Sequence, residues 1–312
     1  MKYVSFRTKD GTELPGVLNT DGKIVALRSL PLNLEVIPGT LLEFIQTTAK
    51  LKPAELLAIK KVISEASSNV EKYENYSIED VKMLAPIPYP VHDIVCVGVN
   101  YFDHLTETQA HMKGTQNLNT ENAVYFSKRA NRILGPMEDI PARLDLDIAL
   151  DYEVELAVII GKEGKDIKAD DAESYIFGYS VFNDVSSRKI QFAHGGQWYL
   201  GKSLDGYAVM GPSIVDCEEL SLPFSTEVKS YVNGELRQNS NTRVLIHPVA
   251  EVIAELSSHF TLVPGDIIAT GTPSGVGMGY TPPKYMKDND SVVCEIENIG
   301  RLENKVKCRK EN

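Results

Sequence analysis

Two glutamates stand two residues apart in the run Asp151-Tyr-Glu153-Val-Glu155-Leu-Ala-Val-Ile-Ile-Gly161. Side chains alternate faces along a strand, so Glu153 and Glu155 share one side while Tyr152, Val154, Leu156, Val158 and Ile160 share the other. The carboxylate side continues as Ala157 and Ile159, so neither side of this strand is suited to open water. Two acids in such surroundings repel each other and lose hydration, and the usual remedy is a bound cation or a raised pKa. A third acid, Asp184, closes the run Gly178-Tyr-Ser-Val-Phe-Asn183-Asp184, where a strand gives way to a helix. Three oxygen donors, with no cysteine or histidine at a suitable spacing, favour a hard ion: Mg²⁺ first, with Mn²⁺ or Ca²⁺ as alternatives and zinc disfavoured. The competing reading is plain: an E-x-E on a strand also marks a solvated face, and Asp184 would equally serve as a helix cap.

The glycine-rich stretch Gly271-Thr-Pro-Ser-Gly275-Val-Gly277-Met-Gly279 permits tight turns whose N–H groups could cradle a carboxylate. It lacks the closing Gly-Lys-Ser/Thr of a phosphate-binding loop and follows no clear βαβ unit, which excludes both common nucleotide readings.

The elements that must position these groups are mostly strands. At the start, KYVSFRT and LPGVLNTDGKIVAL read as short strands with a hairpin signal at Asp21-Gly22. Helical spacing follows over 41–50 and 53–67, the second opened by Pro53. Residues 1–85 are therefore expected to form a small α+β accessory domain, and the proline-rich stretch 84–93 marks the boundary to a larger domain over 86–312. Beyond it come eight β-rich runs with few helical patterns between them, chiefly 169–175 and 248–260. So many strands with so few crossovers predict a mixed α/β, β-rich architecture rather than a doubly wound parallel sheet.

Composition excludes several classes. With 312 residues, 43% apolar and 24% charged, the chain can bury a sizeable core and is neither disordered nor fibrous. A net charge of -11 opposes binding to nucleic acid or an anionic membrane, so an acidic ligand needs a locally positive pocket or a metal ion. No apolar run approaches the roughly 18 residues of a membrane span. Cys96, Cys217, Cys294 and Cys308 lie far apart without a C-x-x-C, which fits a reducing cytoplasm.

Five motifs in order resemble the fumarylacetoacetate hydrolase family: 151–156, 178–188, 201–206 (GKSLDG), 232–238 (VNGELRQ) and 262–277. The resemblance runs from about residue 90 to the C-terminus, and the segment before it is similar to the small N-terminal domain of longer bacterial members. It implies a rolled mixed β-sheet catalytic domain, a homodimer, and Mg²⁺ or Mn²⁺ held by Glu153, Glu155 and Asp184. The segment Val97 to Glu107 resembles the stretch carrying the family's water-activating His and Glu, here His104 and Glu107, which on a helix share one face. Lys202, a catalytic candidate, and Arg188, Gln191 and Thr272 fall where the family contacts a substrate carboxylate or oxo group, and Lys128 fits another basic contact.

The implied substrate is a small dianionic 2-oxo acid. Its implied reaction is carbon–carbon cleavage through an enolate, of the acylpyruvate or fumarylpyruvate hydrolase type. Oxaloacetate decarboxylation and isomerisation or tautomerisation of a hydroxy-dienedioate are the alternatives, and a purely metal-binding protein is disfavoured. The polar segment 106–121 reads as a lid or a surface loop beside the site.

Overall fold

The computed structural model describes residues 1–111 and 120–308, the side chains of 109–111 excepted. An 11-stranded sheet forms the centre and a five-stranded sheet packs against it. The large sheet is antiparallel except where Ile94–Gly98 runs parallel to Ile267–Ala269. The smaller sheet likewise has one parallel pair, Gly300–Cys308 with Asp139–Ala142. This is the mixed, sheet-rich fold that the strand count predicted.

The strand Val154–Ile160 sits in the middle of the large sheet and is buried along its whole length. Val154, Leu156, Val158 and Ile160 enter one apolar core, while Ala157 and Ile159 enter a second one on the opposite face. Both sides of the strand are dry, so the two glutamates at its start cannot lie on a solvated face.

The hairpin at Asp21-Gly22 forms between Glu13–Leu18 and Lys23–Ala26, with Gly22 at φ 74°. Helices span Leu41–Thr48, Pro53–Ser68 and Val249–His259, as the spacing predicted, but Ala169–Tyr175 winds as the tighter 3₁₀ form. Lys2–Arg7 pairs antiparallel with Ala208–Asp216, so the large sheet continues from the N-terminal segment into the rest of the chain. Tyr3 and Lys60 both bond to buried Asp216 across that seam, at 3.1 and 2.9 Å. Among the described residues no helix is long and apolar enough to cross a membrane.

Candidate active site

Antiparallel pairing of Val154–Ile160 with Ile176–Asp184 sets Glu155 opposite Phe182 and brings Asp184 beside Glu153, whose carbonyl accepts from the Asp184 amide at 2.9 Å. One carboxylate oxygen from each of Glu153, Glu155 and Asp184 lies within 4.8 Å of the others, and all three residues are buried. Asp184 is not a helix cap. The helix Arg188–Ala193 begins four residues later, and Asp147 accepts from the Lys189 and Ile190 amides at 2.8 and 3.3 Å.

Three cations surround the trio. Lys202 Nζ reaches Glu153 Oε2 and Asp184 Oδ2, both at 2.7 Å. Arg188 reaches Glu153 at 2.6 Å and Asp151 at 2.8 Å. Lys128 Nζ lies 2.7 Å from Asp184 Oδ1, aligned as an ion pair rather than a hydrogen bond. No ion pair reaches Glu155 among the described residues; its Oε2 accepts from the Gly271 amide at 2.8 Å.

The electrostatics follow from these partners. Burial, then Asp184 and Glu153, push Glu155 well above the ordinary carboxylate range. Burial would raise Glu153 too, but Lys202 and Arg188 outweigh it and hold it low. Desolvation wins at Lys128, which has one carboxylate and is lowered; at Lys202, two carboxylates overcome burial and raise it.

Glu153 and Glu155, but not Asp184, open on a small cavity, lined also by His104, Thr108, Arg188, Gln191, Trp198, Lys202 and Thr272. His104 stands on the helix Phe102–His111, with Nδ1 2.9 Å from Glu107 Oε2, three residues on. The remaining ring nitrogen, Nε2, lies 3.5 Å from Thr108 Oγ1. Arg188 Nη1 donates to Gln191 at 3.0 Å, while Arg188 Nη2 is buried without a hydrogen-bond partner among the described residues. Thr272 Oγ1 donates to Val154 O and accepts from Gln238 Nε2, at 2.9 and 2.7 Å.

Most of the residues expected from the sequence therefore meet in one place, but two expectations change. Lys128 does not line the cavity: fully buried, it donates to the Val185 and Lys202 carbonyls and is paired with Asp184. The glycine-rich loop does cradle carboxylates, but they are the protein's own. Gly275 N donates to Glu107 at 3.0 Å, and Gly277 N and Met278 N donate to Asp151 at 2.6 and 3.0 Å. Asp151, wholly buried, thus fixes both the loop and Arg188. The signal for it was in the sequence, since Asp151 has the same parity as Glu153 and Glu155. Of the lid segment 106–121, residues 106–111 continue the helix and 112–119 lie outside the described residues.

Fold and site together define a sheet-rich protein in which a histidine–glutamate pair stands beside a buried acidic trio. Residues 93–307 match the family model described as fumarylacetoacetate (FAA) hydrolase C-terminal. The chain belongs to the fumarylacetoacetate hydrolase family. It is 39% identical over 297 residues to the oxaloacetate tautomerase YisK of Bacillus subtilis, covering 93% of this chain and 95% of that protein. A solved structure of fumarylacetoacetate hydrolase from Exiguobacterium antarcticum superposes with TM-score 0.81 at 36% identity, covering 99% of this chain and 100% of the other. Maleylpyruvate hydrolase from Sphingobium sp. SYK-6, solved with manganese(II) and pyruvate, superposes with TM-score 0.74 at 25% identity, covering 99% and 100%.

Proposed function

We propose that this enzyme forms and resolves the enolate of a short, dianionic 2-oxo acid, with Glu153, Glu155 and Asp184 holding Mg²⁺ or Mn²⁺. The carrying observation is that His104, bonded to Glu107, and two of the converging acids, Glu153 and Glu155, line one cavity whose wall also presents Arg188, with the third acid, Asp184, within 4.8 Å of both. The donor set suits a hard divalent ion, being all oxygen, buried and converging. Charge supports it too: with all four ionised, as a bound cation requires, the buried acids Asp151, Glu153, Glu155 and Asp184 meet three buried cations, which leaves the cluster one positive charge short. A divalent ion would make it net positive, as an anionic substrate requires. When bound, that ion supplies Lewis acidity toward the oxo acid's oxygens.

The chain's own residues do the rest. Arg188 Nη2 and Lys202 offer charge-assisted hydrogen bonds to carboxylate oxygens, with Gln191 and Thr272 bounding the same space. With Glu107 accepting from Nδ1–H, His104 Nε2 is the nitrogen that takes a proton. The group beyond C3 then decides the outcome. If it is a ketone, water deprotonated by His104 attacks it and the carbon–carbon bond breaks, giving pyruvate and an acid: the acylpyruvate or fumarylpyruvate hydrolase reaction. Decarboxylation of oxaloacetate needs no base, so the base pair speaks for hydrolysis over it.

A second reading, oxaloacetate tautomerisation, is favoured by the likeness to the Bacillus protein. A C4 carboxylate resists water, and His104 would instead carry the proton between the C2 oxygen and C3.

Assays of acylpyruvate cleavage, oxaloacetate enol–keto exchange and CO₂ release, each with Mg²⁺ and before and after His104→Ala, separate these outcomes. His104→Ala is expected to lower the first two by about 10²-fold or more. Robust CO₂ release that survives this substitution, without the other two activities, would refute the base-dependent reading.

Residues 1–85 are proposed to act as an accessory unit bracing the catalytic sheet through the pairing of Lys2–Arg7 with Ala208–Asp216. Kinship also supports a homodimer and a cytoplasmic setting, which light scattering and cell fractionation would test.

A further inference from the structure

The catalytic histidine depends on Glu107, and Glu107 depends on an unoccupied volume. Its two carboxylate oxygens are held from different sides: Oε2 by His104 at 2.9 Å and Oε1 by the Gly275 amide at 3.0 Å. The carboxyl group lies directly over Gly279. A Cβ built at Gly279 would stand 1.7 Å from Glu107 Oε1, 2.2 Å from Cδ and 2.7 Å from Cγ. No heavy atom can occupy that distance from another without a bond, so any side chain at 279 expels the Glu107 carboxyl group from its place. The three nearest atoms all belong to Glu107, a long and flexible side chain, rather than to backbone. Gly279 also lies outside the left-handed φ region, so alanine meets no backbone strain there. The fold should therefore accept the change by moving Glu107, and the cost falls on the base.

We propose that Gly279 is a positioning residue for the His104–Glu107 base, its missing side chain being the space that lets Glu107 orient the imidazole. This rests on the base role assigned above to His104. The metal trio, Arg188 and Lys202 are held by other contacts and keep their places when Glu107 moves.

The experiment compares Gly279→Ala, His104→Ala, Glu107→Gln and the unaltered protein with Mg²⁺. Read out are kcat and KM for acylpyruvate and oxaloacetate enol–keto exchange, oxalate affinity by calorimetry, and the NMR resonance of the His104 Nδ1 proton. Gly279→Ala is expected to lower kcat about as far as Glu107→Gln does, in the range of about 10²-fold, with KM and oxalate affinity near those of the parent. The Nδ1 proton signal should lose its strongly hydrogen-bonded position. If Gly279→Ala keeps parental kcat while His104→Ala is inactive, the positioning role is refuted and the base stands. If His104→Ala is itself fully active, the base reading fails and this proposal falls with it. Parallel loss of oxalate binding and kcat in Gly279→Ala would show a general packing role and also overturn the proposal.

Discussion

Replacing Lys202 by methionine removes a cation from between two buried acids while keeping the length of the side chain. The side chain is 2% exposed and its ammonium lies 2.7 Å from both Glu153 and Asp184. Breaking a buried pair by deleting one partner typically costs about 3–5 kcal/mol, because the surviving charge has no water to return to. Here each acid keeps a second cation, Arg188 at 2.6 Å for Glu153 and Lys128 at 2.7 Å for Asp184, so the low end, about 3 kcal/mol, is expected. For a chain of this size that is a fall of roughly 5 °C in melting temperature.

The same change makes the trio more negative and removes the ammonium that competes with a divalent ion for Glu153 and Asp184. Mn²⁺ at about a hundred times its dissociation constant adds about 2.7 kcal/mol, enough to restore most of the loss. Scanning calorimetry of both proteins with EDTA and with Mn²⁺ should therefore show a larger metal-induced rise in Lys202→Met than in the parent. A variant that melts like the parent and ignores Mn²⁺ would refute both the charge accounting and the metal site.

Two further outcomes follow from the buried acids. Glu155 has a folded-state pKa above its unfolded value, so its contribution to stability is present at low pH and lost as pH rises through the raised value. A divalent ion binds the ionised form, so the melting-temperature gain from Mn²⁺ should grow from mildly acidic to mildly alkaline pH, and Glu155→Gln should abolish both the trend and Mg²⁺-dependent activity without unfolding the protein. Asp151→Asn weakens charge-assisted bonds to Arg188, Gly277 and Met278, and is expected to cost about 2–3 kcal/mol by denaturant titration and to raise KM for a dianionic substrate more than it lowers kcat.

What the chain announces along its length is what neighbouring residues impose on one another. The alternation that puts Glu153 and Glu155 on one side, the hairpin at Asp21-Gly22 and the helical spacing after Pro53 are local consequences of backbone geometry, and each was legible before any fold was known. The dry surroundings of the glutamates were legible too, because Ala157 and Ile159 continue their face. The motif order carried the family and, with it, the expected positions of His104, Lys202 and Arg188.

Tertiary structure decided which charges meet. Glu153 finds Lys202 49 residues away, and Asp151 finds the Gly277 amide 126 residues away. Such contacts depend on strand register and on how two cores close around one strand, which no short window encodes. For that reason Lys128 turned from an expected substrate contact into a buried prop for Asp184, and the amides of the glycine-rich loop proved to hold Glu107, Glu155 and Asp151. Buried polar groups must be satisfied somewhere, but only the closed fold determines by whom.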